Sequence, residues 1–381
     1  MNSVYVSGLG AVSCVGANRE ELWKSCLNQK SGIVDGLGKI PLAVREKLSV
    51  HPKQNSPLAY ATSACREALS QADWKNFNSD DGFILATTTA LVSTWDEPLM
   101  RFFKEEISQE TLMTDFRNEK LGILFDQICD EISFHGRRQL LTTACSAATH
   151  ALGLATLWLK TGRVKRVLVM GVEVISTLTI SGFKSFQLLS DETCRPFNQG
   201  RKGINLSDGA AALCLETEST NALAEVAGVG FSTDAYHMTA PHPEGKGSLQ
   251  AMRSAIHMAS ILPSDISWVH AHGTGSEHND LSEGIALERL FEGKPVPVTS
   301  TKAIHGHSLA ASGALESVLC VQALQNQTVL PTYGLEKIDE RLKIQIANEA
   351  KLLEIRYVLK NTLGFGGANG ALVFKRIEKT A

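Results

Sequence analysis

The stretch TTACSAATHALGLATLWL, Thr142–Leu159, decides the fold. An apolar approach ends at Cys145, and the run of small residues around it opens a long helix. Such a strand-to-helix turn exposes a thiol at a helix N-terminus, where the dipole and the unpaired N–H groups favour thiolate over thiol. A lone cysteine among Ala and Ser is ordinarily core. Position separates Cys145 from Cys214 and Cys320, which sit in apolar periodic runs and are assigned to the core. The expectation is a reactive Cys145 with a depressed pKa.

Working outward, apolar β-branched runs recur between amphipathic helical patterns: SVYVSGLGAVS, GFILATTT, RVLVMGVEV and AALCLE, then AEVAGVGF, SWVHAHGTG, VPVTST and ALVFKRI. This alternation indicates an α/β protein. Two segments echo others. LSDGAAALCLE (206–216) aligns without a gap to FGGANGALVFK (365–375), and LLTTACSAATHALGLATLWL resembles VPVTSTKAIHGHSLAASGALESVLCVQAL in running from a Thr-rich strand end into a helix. A duplicated unit is expected, with halves 1–220 and 221–381 meeting where ETESTNAL (216–223) breaks the pattern.

Composition narrows the function. The 381 residues are 43% hydrophobic, enough for a sizeable core, and exclude a small disulfide scaffold. Thirty-seven basic against 40 acidic residues give a net charge of -3, which offers no global field for nucleic acid. The eight cysteines are scattered singly, without a CxxC pair, as in a reducing cytoplasm. The N-terminus reads as a first strand rather than a signal peptide, and no run of about twenty apolar residues marks a membrane span.

Three further constellations carry chemistry. WVHAHGTGSEHNDLSEGIAL (268–287) delivers His272 into a Gly/Thr loop before a helix with Asp280 and Glu283, which read as braces of the loop. VTSTKAIHGHSLAASGALESVL (298–319) holds Lys302, His307 and Glu316. Five of eleven histidines, at 270, 272, 278, 305 and 307, fall in these two loops. Neither loop pairs His at helical spacing with carboxylates, so no metal site is expected. NTLGFGGANGALVF (361–374) has neither a P-loop lysine nor a dinucleotide fingerprint, and reads as a turn offering a backbone N–H.

These motifs, with VSGLGAVSCVG, RPFNQGRKGINLSDGAAALCLE and STDAYHMTAPHPEG, follow one family order over nearly the whole length. The chain resembles the elongating β-ketoacyl-(acyl carrier protein) synthases of the thiolase-like superfamily. That resemblance implies two fused α/β halves in α-β-α-β-α layers and decarboxylative condensation of an acyl group on Cys145 with malonyl carrier protein, in fatty acid or polyketide/polyene synthesis. It assigns His272 and His307 to enolate stabilisation, Lys302 and Glu316 to charge and loop support, and Phe365 to the gate. Thr274, Ser276, Thr239 and Gly366 would bind substrate. No cofactor is implied beyond the phosphopantetheine that acyl carrier protein brings.

The resemblance also implies a homodimer joined edge to edge, or a heterodimer with a second ketosynthase-like subunit. Arg66, Arg201 and Lys202 are the candidates for docking the acidic carrier protein. A chain-length-controlling subunit would lack the nucleophile that is present here. A thiolase, acting on coenzyme A esters, would carry a second cysteine in the C-terminal loop, and GFGGANG has none. Departures are Leu363 where an aromatic is frequent, Ser276 for Thr, and a recast, shortened segment between Thr94 and Gln139.

Overall fold

The computed structural model describes residues 2–48, 57–118, 120–218 and 220–378. The first half contributes strands β1 (Tyr5–Ser13), β2 (Asp81–Ala86), β3 (Arg137–Leu141), β4 (Arg166–Glu173) and β5 (Gly209–Glu216). The second contributes β6 (Ala224–Thr233), β7 (Trp268–His270), β8 (Pro297–Thr299), β9 (Tyr357–Leu363) and β10 (Ala368–Lys375). Pairing runs β3-β2-β4-β5-β1 in one half and β8-β7-β9-β10-β6 in the other. The sense of pairing repeats as well: the first three strands of each series are parallel, and the last two joints antiparallel. β1 meets β6 through Tyr5 opposite Glu225 and Val6 opposite Ala224. Both echoes read from the sequence fall at equivalent places, β5 with β10 and the turns after β3 and β8.

A third echo is visible only in the packing. Gly8 and Gly10 of β1 lie against α1 (Pro57–Ala72) so closely that a Cβ would stand 2.1 Å from the Ala68 carbonyl oxygen and 1.9 Å from that of Ala64. Gly228 and Gly230 of β6 repeat the arrangement, a Cβ at either meeting a helix carbonyl (Ala255 or Ala251) at 2.0 and 2.1 Å. Only glycine lets strand and helix approach to this distance.

The layers follow from which helices are apolar all round. Helix α2 (Ala147–Lys160) and a later one, Ser312–Asn326, are buried on nearly every side and share one core with strand residues of both halves, including Val167, Leu213, Val358 and Leu372. Each large apolar side chain buried there contributes about 1.5–3 kcal/mol. Helix α1 covers the outer face of the first sheet. The outer face of the second is covered by Lys246–Met258 and Glu277–Phe291. Numbered in chain order after α2, the remaining helices of interest are α3 (Thr177–Ser185), α4 (Lys246–Met258), α5 (Glu277–Phe291) and α6 (Ser312–Asn326). This is the five-layered, thiolase-like α/β architecture expected above.

The recast segment forms helices Asp96–Phe103, Gln109–Asn118 and Leu121–Glu131 ahead of β3 in the chain. Among the described residues, no helix is long and apolar enough to cross a membrane.

Candidate active site

The nucleophile turn is built by local contacts. After β3 the backbone enters the left-handed region at Ala144 (φ 51), a strain of roughly 1 kcal/mol for a residue with a Cβ. The Ser146 hydroxyl donates to the Thr143 carbonyl at 2.8 Å and closes the turn. Cys145 then lies just ahead of α2, only 4% exposed, on the wall of a cavity of about 550 Å³.

Burial pushes the Cys145 thiol up to about 11. The Lys302 charge and the backbone N–H groups of Phe365 and Cys145 itself pull the other way, and Glu173 adds to the rise. The expected depressed pKa is therefore corrected. A helix N-terminus does not offset the near-complete removal of the thiol from water.

The second half supplies the imidazoles. Glu283 of α5 accepts hydrogen bonds from the backbone N–H groups of His272 and Gly273, both at 2.7 Å, and from Asn361 Nδ2 at 2.7 Å. Asp280 accepts from the N–H groups of Phe197 (2.7 Å) and Gly275 (3.2 Å). These two carboxylates fix the loop. His307 donates its backbone N–H to the Asn205 carbonyl at 2.7 Å and sets its ring Nδ1 2.9 Å from Ser312 Oγ. The rings of His272 and His307 meet edge to face, centroids 5.2 Å apart. Burial first, and the Lys302 charge second, hold both well below the usual imidazole pKa. His270 and His305 are turned inward instead, clasping Thr301 Oγ1 at 3.0 and 2.8 Å.

Lys302, itself fully buried, stands behind His272. Its Nζ donates to the His272 carbonyl at 2.6 Å, lies 3.3 Å from His272 Nδ1, and forms an ion pair with Glu316 of α6. Burial raises the Glu316 pKa, but Lys302 and Lys360 more than offset it and keep the carboxyl well below its ordinary range.

Phe365 closes the cavity, stacked on Phe183 of α3 at 5.5 Å. Its loop rests on the nucleophile turn: a Cβ on Gly364 would stand 2.8 Å from Ser146 Oγ. Thr274, Ser276 and Thr239 line the same cavity, Thr274 Oγ1 lying 3.0 Å from Ser276 Oγ.

Two expected contacts need correction. Gly366 does not line the cavity, and its N–H is taken by the Met238 carbonyl at 2.7 Å, so it offers no donor to a substrate. Arg201 is no docking residue. Its side chain is 2% exposed, paired to Asp339 at 2.7 Å and donating to the carbonyls of Ser276 and Glu277, so it braces the Thr274 loop from within. Lys202 remains exposed at the cavity rim, beside Glu192 at 2.9 Å. Arg66 is exposed on α1, paired with Glu131 at 2.7 Å and away from the cavity.

Residues 57–221 match the family described as "Beta-ketoacyl synthase, N-terminal domain", and residues 223–336 match its C-terminal domain. The chain belongs to the β-ketoacyl synthase family. It is 30% identical to 3-oxoacyl-[acyl-carrier-protein] synthase 2 of Staphylococcus aureus (strain COL), with 98% of each chain covered. Among solved structures it is similar to a chain of the complex of the ketosynthase ApeO with its chain length factor ApeC from Xenorhabdus doucetiae. There the TM-score is 0.84 and identity 27%, over 99% of this chain and 98% of that one. A chain of the AntDE:AntF complex, a type II polyketide synthase carrier protein with its ketosynthase, shares the fold at TM-score 0.88 and 24% identity, covering 99% and 100%.

Two residues of this synthase's site escaped the sequence reading. Phe183 stacks on Phe365, but FKSFQLL looks like any amphipathic turn. Lys360 is fully buried against Glu316 at 3.0 Å. Its signal was a lysine in the middle of the apolar strand YVLKNTL.

Proposed function

We propose that the cavity carries out decarboxylative Claisen condensation in two half-reactions with separate donors. The observation that carries this reading is one cavity wall bearing Cys145, under the N–H groups of Phe365 and Cys145, and two neutral imidazoles, His272 and His307. Cys145 takes an acyl group from a carrier thioester: its S–H bond breaks, the S–acyl bond forms, and the carrier's pantetheine leaves as the thiol. The two N–H groups hold the tetrahedral oxyanion. Malonyl thioester then enters and its carboxylate leaves as carbon dioxide, giving an enolate. Lys302 has only donors, so Nδ1 of His272 is an acceptor and its ring proton lies on Nε2, where it can donate to the thioester oxygen. The enolate carbon attacks the Cys145 thioester. The product is a β-ketoacyl thioester two carbons longer, and the released cysteine thiolate takes up a proton from solvent, its first having left on the pantetheine thiol.

Acyl carrier protein fits as donor of both substrates, its pantetheine arm running past Thr239, Thr274 and Ser276 with Lys202 at the rim. Every step is assigned to side chains and backbone of this chain. The test is mass spectrometry of carrier-bound products from a panel of acyl primers with malonyl carrier protein. A product two carbons longer with stoichiometric carbon dioxide is expected. Condensation of coenzyme A esters without carbon dioxide release would replace this reading by a thiolase.

A second ketosynthase-like chain or a second copy fits the β3 edge. β3 pairs with β2 on one side, and its residues Arg137, Arg138 and Gln139 are exposed. An open strand edge favours pairing across a twofold axis. Light scattering at micromolar concentration should give a dimer mass. A strictly monomeric, active protein would sink the proposal.

A further inference from the structure

We propose that Lys360 is a second positioning cation of this site, tying the helix of the nucleophile to the carboxylate that holds Lys302 and His272. It rests on the reading of His272 and His307 as enolate donors. Three elements converge on its ammonium. From α2, Thr149, one turn beyond Cys145, offers Oγ1 at 3.1 Å. From α6, Glu316 offers Oε2 at 3.0 Å, while its Oε1 pairs with Lys302. From β9 itself, Thr362 pairs with it, and the strand leads directly into Gly364 and Phe365. Thr149 and Thr362 also bond each other at 2.9 Å. One fully buried side chain thus links the nucleophile helix, the His272 support and the gate strand.

Charge gives the link a chemical consequence. Burial lowers the Lys360 pKa and Glu316 opposes that fall; with both lysines protonated, two ammonium groups share one carboxylate in a water-excluded cluster and leave a net positive charge behind the imidazoles. The charged and titratable groups facing Lys360 are Glu316 and Cys320 from α6 and Lys302 across Glu316. Its charge is felt at His150, His270, His272 and His307, where it opposes protonation. A positive surplus there keeps His272 and His307 as neutral donors and favours the enolate over the bound malonyl group.

The test compares Lys360→Met, which removes charge and hydrogen bonds, with Lys360→Gln, which keeps donors and loses the charge. Both are read by carbon dioxide release from malonyl carrier protein across pH 4–9 and by acylation of Cys145, next to the parent protein. With the surplus gone the imidazoles protonate more readily, so the acid limb of decarboxylation should move up by roughly half a pH unit to one unit. The rate at neutral pH should fall by about tenfold or more, and acylation should be retained. If Lys360→Met does not fold, Lys360→Gln carries the test. A parental pH profile in Lys360→Gln, or equal loss of both half-reactions at every pH, overturns the proposal. Failure of the parent protein to release carbon dioxide overturns the condensation reading instead.

Discussion

Cys145→Ala should leave no acyl-enzyme on incubation with acyl carrier thioesters and lower condensation on the order of 10⁴-fold or more, the scale for removing a covalent nucleophile. All eight cysteines are buried, and Cys145 is the one among them that lines the cavity. The oxyanion donors remain in the variant, but nothing is left for the acyl group to bond. The parent protein adds a pH signature. With the thiol pushed up to about 11 by burial, its alkylation by a small haloacetamide should keep rising through pH 9 and 10 instead of levelling near 7. At pH 7 the thiolate fraction is then about 10⁻⁴, so efficient acylation needs the proton removed as the bond forms. Intact-protein mass spectrometry reads both results. Acylation surviving in Cys145→Ala would move the nucleophile elsewhere, and alkylation levelling below pH 8 would refute the dominance of burial.

What was legible beforehand was local. Alternating strands and helices, the small-residue turn at Cys145 and the His/Gly loops are written in consecutive residues, and so were the two echoes between halves. The glycine pairs at 8 and 10 and at 228 and 230 were not read, because their meaning lies in the helix carbonyls they face. Features that depend on distant partners were not legible. Arg201 sits in NQGRKG, which has the composition of a solvated turn, yet its ion pair is with Asp339, 138 positions away. Lys360 looks like a stray polar residue until Glu316 is placed beside it. Cys145 follows the same rule: the helix N-terminus is local, whereas the burial that outweighs it comes from residues distant in sequence, Ile175, Ile204, Leu206 and Leu309.

His272→Ala and His307→Ala should separate the two half-reactions, because charge develops in different places in each. In the proposed mechanism acyl transfer builds its oxyanion near the N–H groups of Phe365 and Cys145, which neither substitution removes. Decarboxylation builds an enolate oxygen that the imidazoles must hold. Losing one preorganised donor costs roughly 10²–10³-fold in rate. Each variant should therefore release carbon dioxide from malonyl carrier protein at least about a hundredfold more slowly while still accumulating acylated Cys145. The two changes are not equivalent in their surroundings. His272→Ala takes away Nδ1 from Lys302, which keeps the backbone carbonyl of residue 272 and Glu316, so the buried charge remains paired. His307→Ala frees only the Ser312 hydroxyl, a milder loss for folding. Replacing each with Gln restores a neutral donor without an ionisable ring, and should recover part of the decarboxylation and remove its acid limb. Labelled carbon dioxide release beside mass spectrometry of the acyl-enzyme decides the matter. Parental release by either alanine variant, or lost acylation with decarboxylation spared, would show that the donors are not divided between the half-reactions in this way.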